Sequence, residues 1–247
     1  MDETTQDQNS KRTRIEPVFG WLKQNGDPDW PTTLLRIAEG VSVQTGLGAL
    51  SGVYCEEERT ASPTPTRLAW MIRNAHRLSP SDGRRYREYA RRVSHPQRDA
   101  VLRRLDAGDA SGIPAQLRLE GDSCCDCLIE CEHAFVWVEG KRNDWLSTST
   151  TWDVSRDQLA RNLEAVWSLA RKHEKDYWLL LCHEGELKHH EECLIQGYRT
   201  GAWWAGWPHV DAATRDQFRG KIASIRWDRI VQRWPELRSL AALADVA

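Results

Sequence analysis

Apolar positions in the middle of the chain predict a β-hairpin. Residues 134–138 form an apolar run rich in β-branched and aromatic side chains, which favours a strand over a helix of that length. Both sets of alternate positions in this run are apolar, so both faces should be covered, as in a central strand of an α/β sheet. Residues 124–131 predict the preceding strand, and Glu132 and His133 supply a polar turn between the two.

The pattern also predicts elements on both sides of this hairpin. Downstream, residues 155–172 predict a helix, residues 176–182 a buried strand and residues 225–230 a strand that passes into a helix. Upstream, one more strand is predicted at residues 115–120, directly before the hairpin. Three segments further upstream have the pattern of helices: residues 67–77, 81–93 and 96–105.

Two acids and a lysine lie at one end of the predicted hairpin. Side chains alternate along a strand, so Glu139 and Lys141 should project from the same face. That face also carries Phe135 and Trp137. Asp126, on the paired strand, can come alongside. Because isolated charges are costly at the end of a buried strand, these groups should be paired, bound to a metal ion or placed at a cleft.

The motif resembles the PD-(D/E)xK nuclease superfamily, whose pattern is an Asp on one strand and Glu-x-Lys on the next. Asp126, Glu139 and Lys141 match that pattern. Gly140 occupies the free position, and Cys125 stands where the name-giving Pro would be. The predicted order of strand, helix and strand after the hairpin also agrees with this superfamily. The specific part of the resemblance is the three-residue motif.

The resemblance implies an α/β protein with a restriction endonuclease-like core, in which helices flank a central mixed sheet. Residues 82–234 would form this nuclease-like domain, after a mainly helical accessory region at residues 15–81. Residues 1–14 are polar and predict a disordered tail, and residues 235–247 predict a C-terminal helix or tail.

The resemblance also implies an activity and a site. The activity would be metal-dependent hydrolysis of phosphodiester bonds in DNA, with RNA as the alternative substrate and a homodimer left open. Asp126, Glu139 and the backbone carbonyl of Gly140 would bind Mg²⁺ or Mn²⁺, since these hard cations prefer oxygen ligands. The catalytic residues would be Asp126, Glu139, Lys141 and Gln158.

Gln158 has two interpretations. Residues 155–158 read Ser-Arg-Asp-Gln, the pattern of a capping box in which Ser155 caps a helix and Gln158 reaches back to it. Several members of the superfamily carry a Gln on this helix that points at the active site, and Gln158 matches that placement. The pattern favours the capping role over the catalytic one.

An Arg-rich segment precedes the predicted site. Residues 67–106 contain eleven Arg, no Lys and four acids, a net charge of +7, although the whole chain has a net charge of −2. Guanidinium groups suit phosphate contacts. The candidate nucleic-acid contacts are Arg84, Arg85, Arg91 and Arg92. The alternative is a set of helices with solvated Arg side chains on their outer faces.

Seven cysteines are present, without the spacing of a secreted disulfide framework. Reduced thiols in a cytoplasmic protein are the simpler interpretation, and buried, inert thiols are expected for all seven. A zinc candidate of irregular spacing combines five residues: Cys182, His183, His189, His190 and Cys193. No uninterrupted apolar segment approaches membrane-spanning length, so no membrane partner is expected.

Two alternatives to an active nuclease stay open. In the first, Glu139 and Lys141 form only a structural ion pair, and the fold is a catalytically inactive module that binds nucleic acid or protein. In the second, the Cys and His residues hold zinc, and the chain is a zinc-stapled interaction protein. Metal-dependent cleavage would distinguish the active nuclease from the inactive module. Bound zinc in the purified protein would identify the zinc-stapled interaction protein.

Overall fold

The computed structural model describes most of the chain. The described residues are 10–43, 46–56, 59–75, 78, 94–142, 146–149, 153, 156–202, 207, 209–240 and 243. The helix predicted at residues 81–93 lies outside these residues. The same holds for the four candidate phosphate contacts, Arg84, Arg85, Arg91 and Arg92.

A five-stranded mixed sheet lies at the centre of the protein. The strands of the protein are β1 (Leu50–Tyr54), β2 (Thr60–Ala61), β3 (Ser123–Cys124), β4 (Cys127–Cys131), β5 (Ala134–Lys141), β6 (Asp176–His183) and β7 (Ile222–Arg226). The order in the central sheet is β1-β4-β5-β6-β7. The β1–β4 and β4–β5 pairs are antiparallel, and the β5–β6 and β6–β7 pairs are parallel. The predicted hairpin is therefore confirmed, as is an α/β class with a mixed sheet.

Helices flank this sheet. They are α1 (Glu16–Asn25), α2 (Trp30–Ile37), α3 (Pro65–Arg73), α4 (Arg98–Asp106), α5 (Gln158–Lys172), α6 (His189–Thr200), α7 (Ala212–Phe218) and α8 (Trp227–Arg233). A π-helical turn (Lys11–Ile15) leads into α1, and a 3₁₀ turn (Pro235–Ser239) follows α8. None of the described helices has both the length and the apolar composition that crossing a bilayer requires.

All eight residues of β5 are buried. The two faces of this strand belong to two separate apolar cores. Val136 and Val138 pack in one core with apolar side chains of α1, α2 and α8. Phe135 and Trp137 pack in the other core with apolar side chains of α5 and α6. The alternation along β5 therefore decides which helices each side chain meets.

The strand predicted at residues 115–120 is not formed. This segment turns instead, with Leu117 donating its N–H to the Pro114 carbonyl at 2.8 Å. Leu117 and Leu119 pack against α3 and α4 in a third apolar cluster. The strand beside β4 is β1, which comes from far earlier in the chain. Residues 62–122 lie in the sequence between β2 and β3, which pair as a short antiparallel ribbon. This segment is called the insert below.

The described part of the predicted N-terminal tail is helical. Residues 10–14 enter the helical segment that continues as α1, and the Arg14 side chain is buried. Its Nη2 lies 2.6 Å from Glu184 Oε1, at the end of β6. A Cβ at Gly140 would lie 2.8 Å from Ile15 Cδ1, so the glycine allows this helical segment to approach β5 closely. Packing against the sheet orders residues that look like a tail in the sequence.

The insert is joined to α5 through buried charges. Arg67 of α3 contacts Glu120 (Nε to Oε2, 3.1 Å) and Asp153 (Nη2 to Oδ2, 2.8 Å). Arg156 Nη2 lies 2.9 Å from Oε1 of Glu120 and 2.9 Å from Oε2 of Glu164. All five of these side chains are almost completely buried. Two guanidinium groups thus share three carboxylates between the insert and the core.

His209 and Thr64 complete this buried network. His209 Nε2 lies 3.1 Å from Glu164 Oε2, and the Thr64 hydroxyl donates to Glu164 Oε1 at 2.5 Å. Burial lowers the pKa of His209 below its ordinary value, although Glu164 acts in the opposite direction. Burial alone would raise the pKa of Glu164, but Arg156 and His209 hold it well below its usual range. Glu164 is therefore the ionised centre of the network.

The cysteines differ from the expectation of seven buried thiols. Cys55 and Cys127 form a disulfide, and Cys124 and Cys193 are exposed. The pairing of β1 with β4 places Cys55 next to Cys127, although 72 residues separate them in the sequence. Cys125 remains a buried thiol, and burial together with the nearby Asp126 raises its pKa to about 12. Long-range strand pairing, invisible in cysteine spacing, creates the disulfide.

We expect Cys55→Ser to lower the free energy of unfolding by about 2–5 kcal/mol, because the lost bond no longer constrains the unfolded chain. Urea unfolding without a reductant measures this change. Cys124→Ser is the matched control, since Cys124 is exposed and outside the disulfide; its effect should stay within about 0.5 kcal/mol. If the wild type and Cys55→Ser have the same free energy of unfolding without reductant, the disulfide does not contribute to stability.

Candidate active site

Asp126 is fixed at the end of β5. It lies in the short break between β3 and β4, where its backbone N–H donates to the Val138 carbonyl at 3.2 Å. Its carboxylate oxygen Oδ2 accepts the backbone N–H of Gly140 at 2.7 Å. The hairpin predicted from the sequence therefore brings Asp126 to the strand end that carries Glu139 and Lys141.

Glu139 and Lys141 lie side by side and form an ion pair. Lys141 Nζ is 3.1 Å from Glu139 Oε1, and the two residues are 4% and 6% exposed. The ion pair of the structural alternative is therefore present. It does not exclude chemistry, because the motif behind the resemblance also requires a carboxylate and an ammonium group at one place.

Two amide side chains of α5 hold the Glu139 carboxylate. Gln158 Nε2 donates to Oε1 at 2.6 Å, and Asn162 Nδ2 donates to Oε2 at 2.9 Å. The two amides lie one helical turn apart, on the face of α5 that packs against the sheet. Together with Lys141, they orient both oxygens of Glu139.

The predicted capping role of Gln158 is wrong. The residue that caps α5 is Asp157, whose Oδ1 accepts the Ala160 N–H at 2.8 Å. Gln158 is the first residue of the helix, and its side-chain amide contacts Glu139 and the Ser147 N–H. Ser155 lies outside the described residues. The helix begins two residues later than the pattern predicts, because Asp157 is itself a favoured N-cap residue.

Sequence reasoning missed Asn162. The available signal was its distance of four residues from Gln158 on a predicted helix, which places both on one face. Asn162 is 4% exposed, so its amide is paired with Glu139 away from solvent. A buried Asn needs such a partner, because an unpaired amide in an apolar core is costly.

If Glu139 binds a divalent cation and supports cleavage, as the resemblance implies, Asn162→Leu should reduce the metal affinity or the activity by about 10- to 100-fold, because Glu139 loses one of the donors that orient it. Leu fills a similar volume without donating a hydrogen bond. Isothermal titration with Mn²⁺ and a plasmid-nicking assay measure the two quantities. Asn162→Gln is the companion variant that keeps an amide. Wild-type metal affinity and activity in Asn162→Leu would show that the contact does not support the site.

Trp227 and His183 lie next to the end of β5. The Trp227 indole N–H donates to the backbone carbonyl of Lys141 at 3.3 Å, and Trp227 is buried in the core next to α1. It belongs to the predicted strand-to-helix segment, which the structure confirms as β7 followed by α8. His183 is the residue of β6 in register with Lys141. Burial lowers the pKa of His183, so its imidazole is uncharged at neutral pH.

The described arginines of the Arg-rich segment are largely matched by acids. Among them, four form ion pairs: Arg67 with Glu120 and Asp153, Arg73 with Asp106, Arg98 with Asp99, and Arg104 with Asp109. Their positive charge is therefore locally balanced. The four candidate phosphate contacts lie outside the described residues, and their role stays a prediction.

The donor set at the end of the hairpin suits a hard cation. Asp126 and Glu139 offer carboxylate oxygens, and Gly140 offers a backbone carbonyl, which are the ligands that Mg²⁺ prefers. Within the described ranges, no group of three or more His, Cys, Asp and Glu side chains is arranged to hold a metal ion. An ion at this site would thus depend on two carboxylates, the carbonyl and water, and Mg²⁺ usually retains several waters.

The five-residue zinc candidate does not assemble as predicted. Cys182 is completely buried in β6, and His183 Nδ1 lies 3.1 Å from the Gly185 carbonyl oxygen. His189 Nε2 and Cys193 Sγ lie 3.6 Å apart. The alternation of β6 and the position of α6 separate this pair from Cys182.

Comparison of the chain with family models, with curated proteins and with solved structures finds no match.

Proposed function

We propose that this protein is a PD-(D/E)xK-type endonuclease that hydrolyses phosphodiester bonds in DNA and uses Mg²⁺ or Mn²⁺. One observation carries the proposal. At one end of the β4–β5 hairpin, the Asp126 carboxylate accepts the backbone N–H of Gly140, Lys141 pairs with Glu139, and Gln158 donates to the Glu139 carboxylate. These are the four residues that the resemblance implies for catalysis.

The topology supports the proposal. The antiparallel strands β1, β4 and β5 are followed by the helix α5 and by β6, which is parallel to β5. A helix and then a strand after the hairpin is the order that the resemblance implies.

The chemistry follows from charge. A phosphodiester is anionic and repels a hydroxide nucleophile, so a nuclease must place positive charge at the scissile phosphate. A bound divalent cation supplies that charge and makes water a nucleophile at neutral pH. Asp126, Glu139 and the Gly140 carbonyl would hold the cation. Lys141 would donate to the phosphate and stabilise the negative charge that develops there.

Supercoiled plasmid DNA tests the proposal. We expect nicked or linear product with Mg²⁺ and none with EDTA. Lys141→Met, which keeps an unbranched apolar chain, should lose about 10²- to 10³-fold in rate, because one donor to the developing charge is removed. Cleavage that persists in EDTA or in Lys141→Met would overturn the assignment. DNA binding without any cleavage by the wild type would favour the inactive module, and a parallel assay on RNA identifies the preferred substrate.

A further inference from the structure

The N-terminal turn, residues 10–15, packs directly on Gly140 of β5. A Cβ at Gly140 would lie 2.8 Å from both Cγ1 and Cδ1 of Ile15 and 3.1 Å from Ser10 Oγ. A real Cβ does not approach another carbon to 2.8 Å, so the turn can lie here only because residue 140 has no side chain. The turn therefore covers Gly140 on the face of β5 that points away from α5.

Gly140 makes two backbone contributions to the candidate active site. Its N–H donates to Asp126 Oδ2 at 2.7 Å. Its carbonyl is the third oxygen ligand that the resemblance implies for the cation. A shift of Gly140 would therefore move a ligand and, at the same time, the donor that fixes Asp126. Because glycine has the widest choice of backbone angles, packing from outside the strand restricts this position.

Arg14 fixes the turn to the end of the sheet. Its side chain is buried, and its Nε and Nη2 donate to Glu184 Oε1 at 3.2 and 2.6 Å. Glu184 directly follows β6, whose last residue, His183, is in register with Lys141. The other oxygen of Glu184, Oε2, lies 3.4 Å from Nε of Arg142, which directly follows β5. One carboxylate thus links the turn to the ends of both strands.

The contact between Arg14 and Glu184 is suited to holding the turn in one place. Hydrogen bonds between charged groups are stronger than those between neutral groups. Moving a buried guanidinium group away from its partner is costly, because the charge would be left without compensation. Ile15 follows Arg14 directly, so the residue that contacts Gly140 is fixed together with the ion pair.

We propose that Arg14 is a positioning residue for the candidate active site: through Glu184 and the N-terminal turn, it holds Gly140 against Asp126. The consequence for metal binding and cleavage rests on the proposed function. The contact between Gly140 and Asp126 can be measured without metal or DNA.

Amide hydrogen exchange of the metal-free protein, followed by NMR, tests the positioning directly. We expect Arg14→Met to speed exchange of the Gly140 N–H by at least about 10-fold, because the end of β5 opens more often when the turn is loose. Val136, in the middle of β5, should exchange as in the wild type. Arg14→Lys keeps the charge and should restore part of the protection.

The matched control for Arg14→Met is Arg226→Met. Arg226 is the last residue of β7, at the same edge of the sheet, and its Nη2 lies 2.6 Å from Oδ2 of Asp228 in α8. This ion pair joins β7 to the helix that follows it. Its loss should leave exchange of the Gly140 N–H unchanged.

Metal binding and kinetics extend the test to the site. If the proposed function holds, Arg14→Met should weaken Mn²⁺ binding by about 10- to 100-fold and lower kcat, because displaced ligands no longer match the cation. The KM for DNA should change little. A merely structural role would lower the melting temperature and leave the Mn²⁺ affinity and kcat of the folded protein unchanged.

A second set of variants tests the same contact without changing Arg14. Gly140→Ala should speed exchange of the residue 140 N–H and weaken Mn²⁺ binding, because the new Cβ collides with Ile15. Ile15→Ala removes Cγ1 and Cδ1. Combining the two changes should therefore restore slower exchange and tighter Mn²⁺ binding than Gly140→Ala alone. This set decides the proposal if Arg14→Met does not fold.

Exchange at Gly140 that stays at the wild-type rate in folded Arg14→Met would overturn the proposal. So would a combined variant no better than Gly140→Ala alone. A wild type that neither binds Mn²⁺ nor cleaves DNA would refute the proposed function, and the exchange rates would still decide whether Arg14 holds Gly140. The two proposals can therefore fail independently.

Discussion

Replacing Glu139 by Gln, or Asp126 by Asn, should abolish Mg²⁺-dependent DNA cleavage, with a loss on the order of 10³-fold in rate. Each change keeps the size of the side chain and removes the negative charge that would hold the cation. DNA binding should persist, because a lost carboxylate reduces the repulsion of the phosphate backbone. Plasmid nicking, filter binding and the melting temperature of each variant measure these effects together.

The stability of the Glu139→Gln variant shows whether a loss of activity comes from the site or from unfolding. Glu139→Gln removes the carboxylate that lies 3.1 Å from the buried Lys141 ammonium group in the wild type. Removing one partner of a buried pair can cost about 3–5 kcal/mol. The double variant Glu139→Gln with Lys141→Met removes both charges and is the control for this effect. A stable and inactive double variant supports the site, whereas full activity in Glu139→Gln would refute it.

Arg156→Met should destabilise the protein by about 3–5 kcal/mol, because the carboxylates of Glu120 and Glu164 lose a shared buried partner. Both carboxylates lie 2.9 Å from Arg156 Nη2. Met keeps much of the apolar volume and removes the charge. Urea unfolding at pH 7 measures the change.

The matched control for Arg156→Met is Arg104→Met. Arg104 pairs with Asp109 at 2.9 Å, but its side chain is 42% exposed. Exposed ion pairs contribute about 0–1 kcal/mol, so this variant should stay near the wild type. If Arg156→Met costs no more than Arg104→Met, the buried network does not fasten the insert to α5.

Local pattern was sufficient for the elements around the site. The apolar run of residues 134–138 predicted β5, and the helical period of residues 155–172 predicted α5. The segment 225–230 predicted a strand passing into a helix, which the structure shows as β7 and α8. Each of these predictions uses side chains within one element, whose periodicity reports directly which face is buried.

The short turn between two strands with alternating side chains was also enough to predict that Glu139 and Lys141 share one face of β5 and that Asp126 comes beside them. The structure places Asp126 in the break between β3 and β4, directly before the strand. The distant elements that contact these residues could not be predicted from local pattern, because folding of the whole chain brings them together. The tertiary structure places Asn162 on Glu139 and β1 beside β4. Such contacts join residues far apart in the chain and depend on how the whole protein packs. Local periodicity shows which face of an element is buried, but it does not show which element covers that face.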